Sequence, residues 1–145
     1  MRHYLLDTNV LIDYLINREP FGRDAVELME AGVSGEARFY VASLSFANIE
    51  YVTRRLTTAA HARLLLDRLM PMVEILSLNA AIIRQTLDSN FTDFEDGIQY
   101  FTALTEPAIA AIITRDPKGF RRSALPVLSV ADALIELDNA SGPER

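Results

Sequence analysis

A chain of 145 residues, half of them hydrophobic, has the size of one domain and enough apolar material for a sizeable core. Without cysteine it has no disulfide, zinc–thiolate centre or thiol nucleophile, and a net charge of −6 makes the chain as a whole a poor non-specific binder of nucleic acid. No apolar run is long enough for a bilayer and the start lacks a signal-peptide layout, so a cytoplasmic protein with no membrane partner is expected.

Residues 3–6 read as a short buried strand, and 10–15 as a helix with Val10, Leu11, Tyr14 and Leu15 on one apolar face. A second helix is expected over 21–32 and a second strand over 38–42. Ser45 is a candidate cap for a third helix running to about Leu56, and Thr57 or Thr58 starts a fourth that ends near Pro71. A strand over 73–76 precedes a helix capped by Asn79. In "TDFEDGIQYFTAL", Thr92 and Glu95 have capping-box spacing and start a helix that reaches about Thr105. "AIAAIIT" is a strand ending at Thr114, followed by a short strand at 126–128 and a helix over 130–137. The domain is expected to occupy 1–138, with 139–145 a frayed tail. This alternation predicts an α/β three-layer sandwich with a central, mainly parallel sheet. Ligands in such folds sit outside the carboxyl ends of the strands. Asp7 and Asp116 follow two of those ends.

Each acid at that edge has an ordinary structural use. Asp7 can cap a helix. Glu50 and Arg54 have the spacing of a helix-surface ion pair. Asp93 and Asp96 complement a helix dipole, and Asp116 precedes Pro117 in a turn. Together they are harder to dismiss. Asp7 and Asp116 meet at the sheet edge, Asp93 and Asp96 share a face of the preceding helix, and Glu50 lies beside Ile49 on a helix leaving another strand. Convergent carboxylates repel one another and resist burial. A divalent cation offsets that cost, and oxygen ligands without useful His or Cys suit Mg²⁺ or Mn²⁺. Such a site suggests phosphodiester cleavage by activated water. The two histidines, His3 and His61, share no ligand spacing.

"LLDTNVLIDYL", "SFANIEYVTRR", "DFEDGIQYFTAL" and "IITRDPKGFRRSALPVLS" resemble, in order, the signature segments of PIN-domain ribonucleases, nearest to the VapC-like toxins of toxin–antitoxin pairs. The resemblance spans nearly the whole chain. It implies a Mg²⁺- or Mn²⁺-dependent ribonuclease acting on RNA, a cognate antitoxin and a homodimer. It maps the catalytic acids onto Asp7, Glu50, Asp96 and Asp116, and the metal ligands onto Asp7, Asp96, Asp116 and Asp93. Thr8, Asn9 and Thr114 would orient carboxylates and water, with Thr8 capping the first helix and leaving Asp7 free for metal. Charge alone makes "RDPKGFRR" a solvated loop. Its place beside the site makes Arg115, Lys118, Arg121 and Arg122 expected RNA contacts. Some of Leu11, Tyr14, Leu15, Phe21, Leu28 and Met29 are expected to line an antitoxin groove.

Two other enzyme classes fit poorly. Haloacid-dehalogenase-like phosphatases need a second aspartate where this chain has Asn9, and receiver domains need a strand-end lysine where Lys118 lies in a turn. A catalytically silent PIN-like interaction module is the alternative.

Overall fold

Five short strands, β1 (Arg2–Leu6), β2 (Ala37–Ala42), β3 (Glu74–Leu76), β4 (Ala111–Ile113) and β5 (Val127–Leu128), form one sheet in the order β3-β2-β1-β4-β5. Every neighbouring pair is parallel. The structure, a computed structural model, describes residues 1–140. Seven α-helices connect the strands among these residues: α1 (Thr8–Leu15), α2 (Gly22–Val33), α3 (Ser43–Leu56), α4 (Ala59–Leu69), α5 (Ala80–Leu87), α6 (Phe94–Ala103) and α7 (Val130–Ala140). Asn139 and Ala140, expected in the tail, belong to α7, and the rest of that tail, 141–145, lies outside the described residues.

Side-chain alternation along the strands makes the three layers. Tyr4 and Leu6 of β1, Phe39 and Val41 of β2, and Ala111 and Ile113 of β4 point into one core with Leu11, Leu28, Ile49, Leu69 and Leu137. Leu5, Tyr40 and Ile112 point the other way, onto Tyr100, Ala103 and Phe120. Leu11, Leu28 and Met29 are fully packed in the first core and cannot line a groove. Of the six residues expected to line a groove, Phe21 is exposed, and further exposed apolar residues include Leu56 on α3, Leu64 on α4, and Ile83 and Leu87 on α5.

The chain leaves β1 toward β2 and β3, then returns to place β4 on the other side of β1. That reversal opens a crevice at the carboxyl ends of β1 and β4. Tyr4 pairs with Ala111 and Leu6 with Ile113, so Asp7 and Thr114 leave the sheet at the same level.

Thr58 and Asn79 cap α4 and α5. Three other starts differ from the expected ones. Asp7, not Thr8, caps α1, its side chain accepting from the Thr8 N–H. Asp93, not Thr92, caps α6 and accepts from the Asp96 N–H. In both, a carboxylate stands next to the hydroxyl and binds free helix N–H groups more strongly. The helix α3 begins at Ser43, and Ser45 is buried with its hydroxyl accepting from the Thr8 hydroxyl at 2.8 Å.

Candidate active site

The crevice is a cleft of about 640 Å³ lined by Asp7, Thr8, Asn9, Asn48, Tyr51, Asp93, Phe94, Glu95, Asp96 and Asp116, among others. Asp7 forms its floor and is 6% exposed. Its Oδ1 accepts from the Thr8 N–H at 2.7 Å and from Gln99 Nε2 at 2.8 Å, while Oδ2 accepts from the Thr114 hydroxyl at 2.7 Å. Burial pushes the Asp7 carboxyl up, and these three donors pull it back. Thr114 Oγ1 also accepts from the Asp116 N–H at 3.0 Å, and Asn9 Oδ1 accepts from the Arg115 N–H at 3.3 Å. One short stretch after β4 is thus tied to the floor of the cleft at successive residues.

The wall opposite comes from the start of α6. Carboxylate oxygens of Asp93, Glu95 and Asp96 all lie within 4.8 Å of one another. Asp96 is central. Partial burial, then the charges of Asp7, Asp93, Glu95 and Asp116, push its carboxyl up to about 7. Glu95 is raised by burial and by Asp7 and Asp93, against a lowering hydrogen bond from Asn48. The turn Pro117–Phe120 presses against this wall: a Cβ on Gly119 would lie 2.9 Å from Asp96 Cγ and closer still to Oδ2. Only a residue without a side chain leaves the Asp96 carboxylate its place. Hard oxygen donors in this density, with no nitrogen or sulfur among them, fit Mg²⁺ or Mn²⁺.

Asp7, Asp93, Asp96 and Asp116 therefore share one cleft with Thr8 and Asn9, and Thr114 lies beneath them. Glu50 does not join them. It pairs with Arg54 at 3.2 Å one helical turn on and does not line the cleft. Ser45, Ile49 and Thr53 are the buried face of α3, which turns Asn48 and Tyr51 toward the acids and Glu50 away. Arg115 is also taken. Its Nε and Nη2 donate to Asp13 Oδ2 and Oδ1 at 2.8 and 3.1 Å, and its guanidinium lies 4.2 Å from the centre of the Phe21 ring. Asp13 is 2% exposed, so a buried carboxylate claims this arginine as its counter-charge. Lys118, Arg121 and Arg122 are exposed just beyond.

Sequence reasoning missed Glu95, Asn48 and Gln99. Glu95 was read as half of a capping box, although it is one residue from Asp96. Gln99 lies one turn after Glu95 on an apolar stretch, and a polar residue there is a signal of inward hydrogen bonding. Tyr51 and Phe94 are 51% and 49% exposed on the cleft; the Tyr51 ring carries the Arg54 and Arg55 guanidiniums at 5.4 and 5.1 Å, and its hydroxyl accepts from Arg55.

A family model described as PIN domain matches residues 3–118. Among curated proteins none matches by sequence. Solved structures share the fold. The structure of FitAcB from Neisseria gonorrhoeae is 22% identical, with 88% of this chain and 98% of that one covered and a TM-score of 0.64. A toxin-antitoxin complex from Klebsiella pneumoniae is 20% identical, with 88% and 97% covered and a TM-score of 0.63. VapC20 from Mycobacterium tuberculosis, a Sarcin-Ricin loop cleaving toxin, is 13% identical, with 82% and 94% covered and a TM-score of 0.64.

Proposed function

We propose, from the premise that this chain belongs to the PIN-domain family, that it is a Mg²⁺- or Mn²⁺-dependent endoribonuclease and the toxin of a toxin–antitoxin pair. The observation that carries this reading is the cleft itself: carboxylates from the end of β1, α6 and the end of β4 gathered around Asp96, with no lysine, arginine or histidine among the described residues that line it. Asp96, Asp116 and Asp93 would hold the cation, and Asp7 would complete the site from the floor. A bound divalent cation supplies charge neutralisation at the phosphodiester and acidifies water.

The chain's own residues do the rest. Thr8, Gln99 and Thr114 fix the two oxygens of Asp7, so its charge stays aimed at the cleft. Asn9 and Thr114 hold the backbone that carries Asp116. Phe94 presents an exposed ring on which an unstacked base would pack, which favours single-stranded RNA. Lys118, Arg121 and Arg122 would contact its phosphates, offsetting locally the overall negative charge.

The likeness to toxin–antitoxin complexes supports an antitoxin partner. No helix among the described residues is long and apolar enough to cross a membrane, and we place the protein in the cytoplasm. A homodimer belongs to the same reading, and light scattering at high micromolar concentration tests it.

The deciding experiment is cleavage of a single-stranded RNA by the purified chain with Mn²⁺, Mg²⁺ or EDTA. Cleavage is expected with either metal, none with EDTA, and none from Asp96→Asn at unchanged far-ultraviolet dichroism. Equal cleavage by wild type and Asp96→Asn would overturn the assignment. No cleavage of any RNA, with an intact antitoxin complex, would favour the silent module.

A further inference from the structure

We propose that Glu95 is a working carboxylate of this cation site, held in place by Asn48, and that Glu50 has no part in it. The inference rests on the nuclease reading above and says which side chains of the cleft act. The helices α3 and α6 form facing walls. The α3 wall offers Leu44, Asn48, Tyr51 and Val52, so where a carboxylate is expected it presents a neutral amide. The missing charge stands opposite. Asn48 Nδ2 donates a hydrogen bond to Glu95 Oε2, across 47 positions of sequence.

A glutamate in the first turn of a helix has an ordinary use, since it complements the dipole. That use asks only for solvent exposure nearby. Glu95 instead is half-buried, within 4.8 Å of the Asp93 and Asp96 carboxylates that repel it. A three-bond side chain free to swing outward would do so. Asn48 prevents this, and an amide does it without adding a further negative charge. The amide engages one oxygen of Glu95 and leaves the other for a ligand.

Asp7 points to the same conclusion independently. It already accepts three hydrogen bonds from the protein. A carboxylate has roughly four acceptor positions, so Asp7 has little left to give a cation directly. Gln99, fully buried, spends its amide donor on Asp7 and leaves its own Oε1 with no partner. The floor is thus committed to holding Asp7 still, and direct ligands must come largely from the α6 wall. Of that wall, Asp93 caps α6, which leaves Glu95 and Asp96 to face the cleft.

The test is calorimetric titration of Mn²⁺ into the full-length protein, with RNA cleavage measured in parallel. Glu95→Gln keeps the acceptor for Asn48 and removes only the charge. It is expected to bind Mn²⁺ at least about tenfold more weakly, and Asn48→Ala, which frees Glu95, about tenfold more weakly. Glu50→Gln is expected to bind like wild type. Wild-type affinity in Glu95→Gln and Asn48→Ala, beside a loss in Asp96→Asn, would overturn this inference and leave the nuclease reading standing. So would a loss confined to Glu50→Gln. Wild-type affinity in Asp96→Asn would remove the cation reading itself.

Discussion

Asp7 serves two purposes with one carboxylate: it caps α1 and forms the floor of the acid cleft. Both uses were visible as alternatives, and they turn out not to compete, because Oδ1 faces the helix N–H while Oδ2 faces Thr114. Asp96 carries the larger electrostatic load. In an unfolded chain an aspartate ionises near pH ~4, whereas here Asp96 is pushed up to about 7. The native state therefore holds more protons than the unfolded state between those values. Its contribution to stability is fullest at low pH, falls as pH rises through that window, and is flat above it. Glu95 and Asp7 are shifted in the same direction. In EDTA, Asp96→Asn should melt above wild type by a margin that grows as pH rises toward about 7 and then levels. A margin that stays constant across this range would show that neither burial nor the neighbouring carboxylates disfavour the charge of Asp96. Gly119 is the steric counterpart. An alanine there meets only the mobile end of Asp96, 2.9 Å from Cγ, so stability should change by under about 1 kcal/mol. The cost falls on the site: Mn²⁺ affinity should drop about tenfold, as for a residue that orients a ligand. A Gly119→Ala protein with unaltered affinity would mean that Asp96 has other acceptable positions.

Helices position these side chains, and their rotational phase is what sequence conveys least well. The order of elements along the chain, the parallel three-layer arrangement and the sheet edge followed from apolar runs and their spacing, and so did Asp7, Asp93, Asp96 and Asp116 at that edge; the order of strands within the sheet did not. The face of α3 did not. Ser45, Ile49 and Thr53 face the core, and Asn48 and Glu50 are two positions apart, which on a helix is a turn of about 200°. An error of that size exchanges the cleft for solvent. The Glu50–Arg54 spacing in fact carried the correct reading, an ion pair on the surface. The starts of α1 and α6 failed for a related reason, since an acid beside a hydroxyl leaves the choice of cap to backbone geometry. Arg115 could not be assigned because its partner Asp13 is about a hundred residues away, on α1. That pair anchors the segment between Thr114 and Asp116. Arg115→Ala would leave buried Asp13 with only the more distant Arg18, at 3.9 Å, at a cost of about 2 kcal/mol after allowing for the partial exposure of the arginine. It should leave the salt dependence of RNA binding unchanged, whereas Lys118→Ala should lower that slope by about one. Denaturant unfolding and salt-dependent binding titrations of both variants separate anchor from contact. A reduced slope in Arg115→Ala would restore it to the RNA surface.

At the level of the whole molecule, an acidic chain would, on the proposed reading, approach a polyanion through a small basic margin, Lys118, Arg121 and Arg122, set next to the acid cleft. Its chemistry depends on the return of β4 to the side of β1, which joins Asp7 to Thr114 across 107 positions. Closing so long a loop is slow and comes late, because its entropy must be overcome before the pairing can reward it. The floor of the cleft, Asp7 tied to Thr114 beside Asp116, is therefore absent until the sheet is nearly complete, and a cation in the transition state meets only the local acids of α6, a partial site. Stopped-flow mixing should show Mn²⁺ leaving the refolding rate almost untouched while slowing unfolding in proportion to the stability it adds. Loaded with metal, the protein would be durable without being a faster folder, and its lifetime would be set by how often β4 lets go.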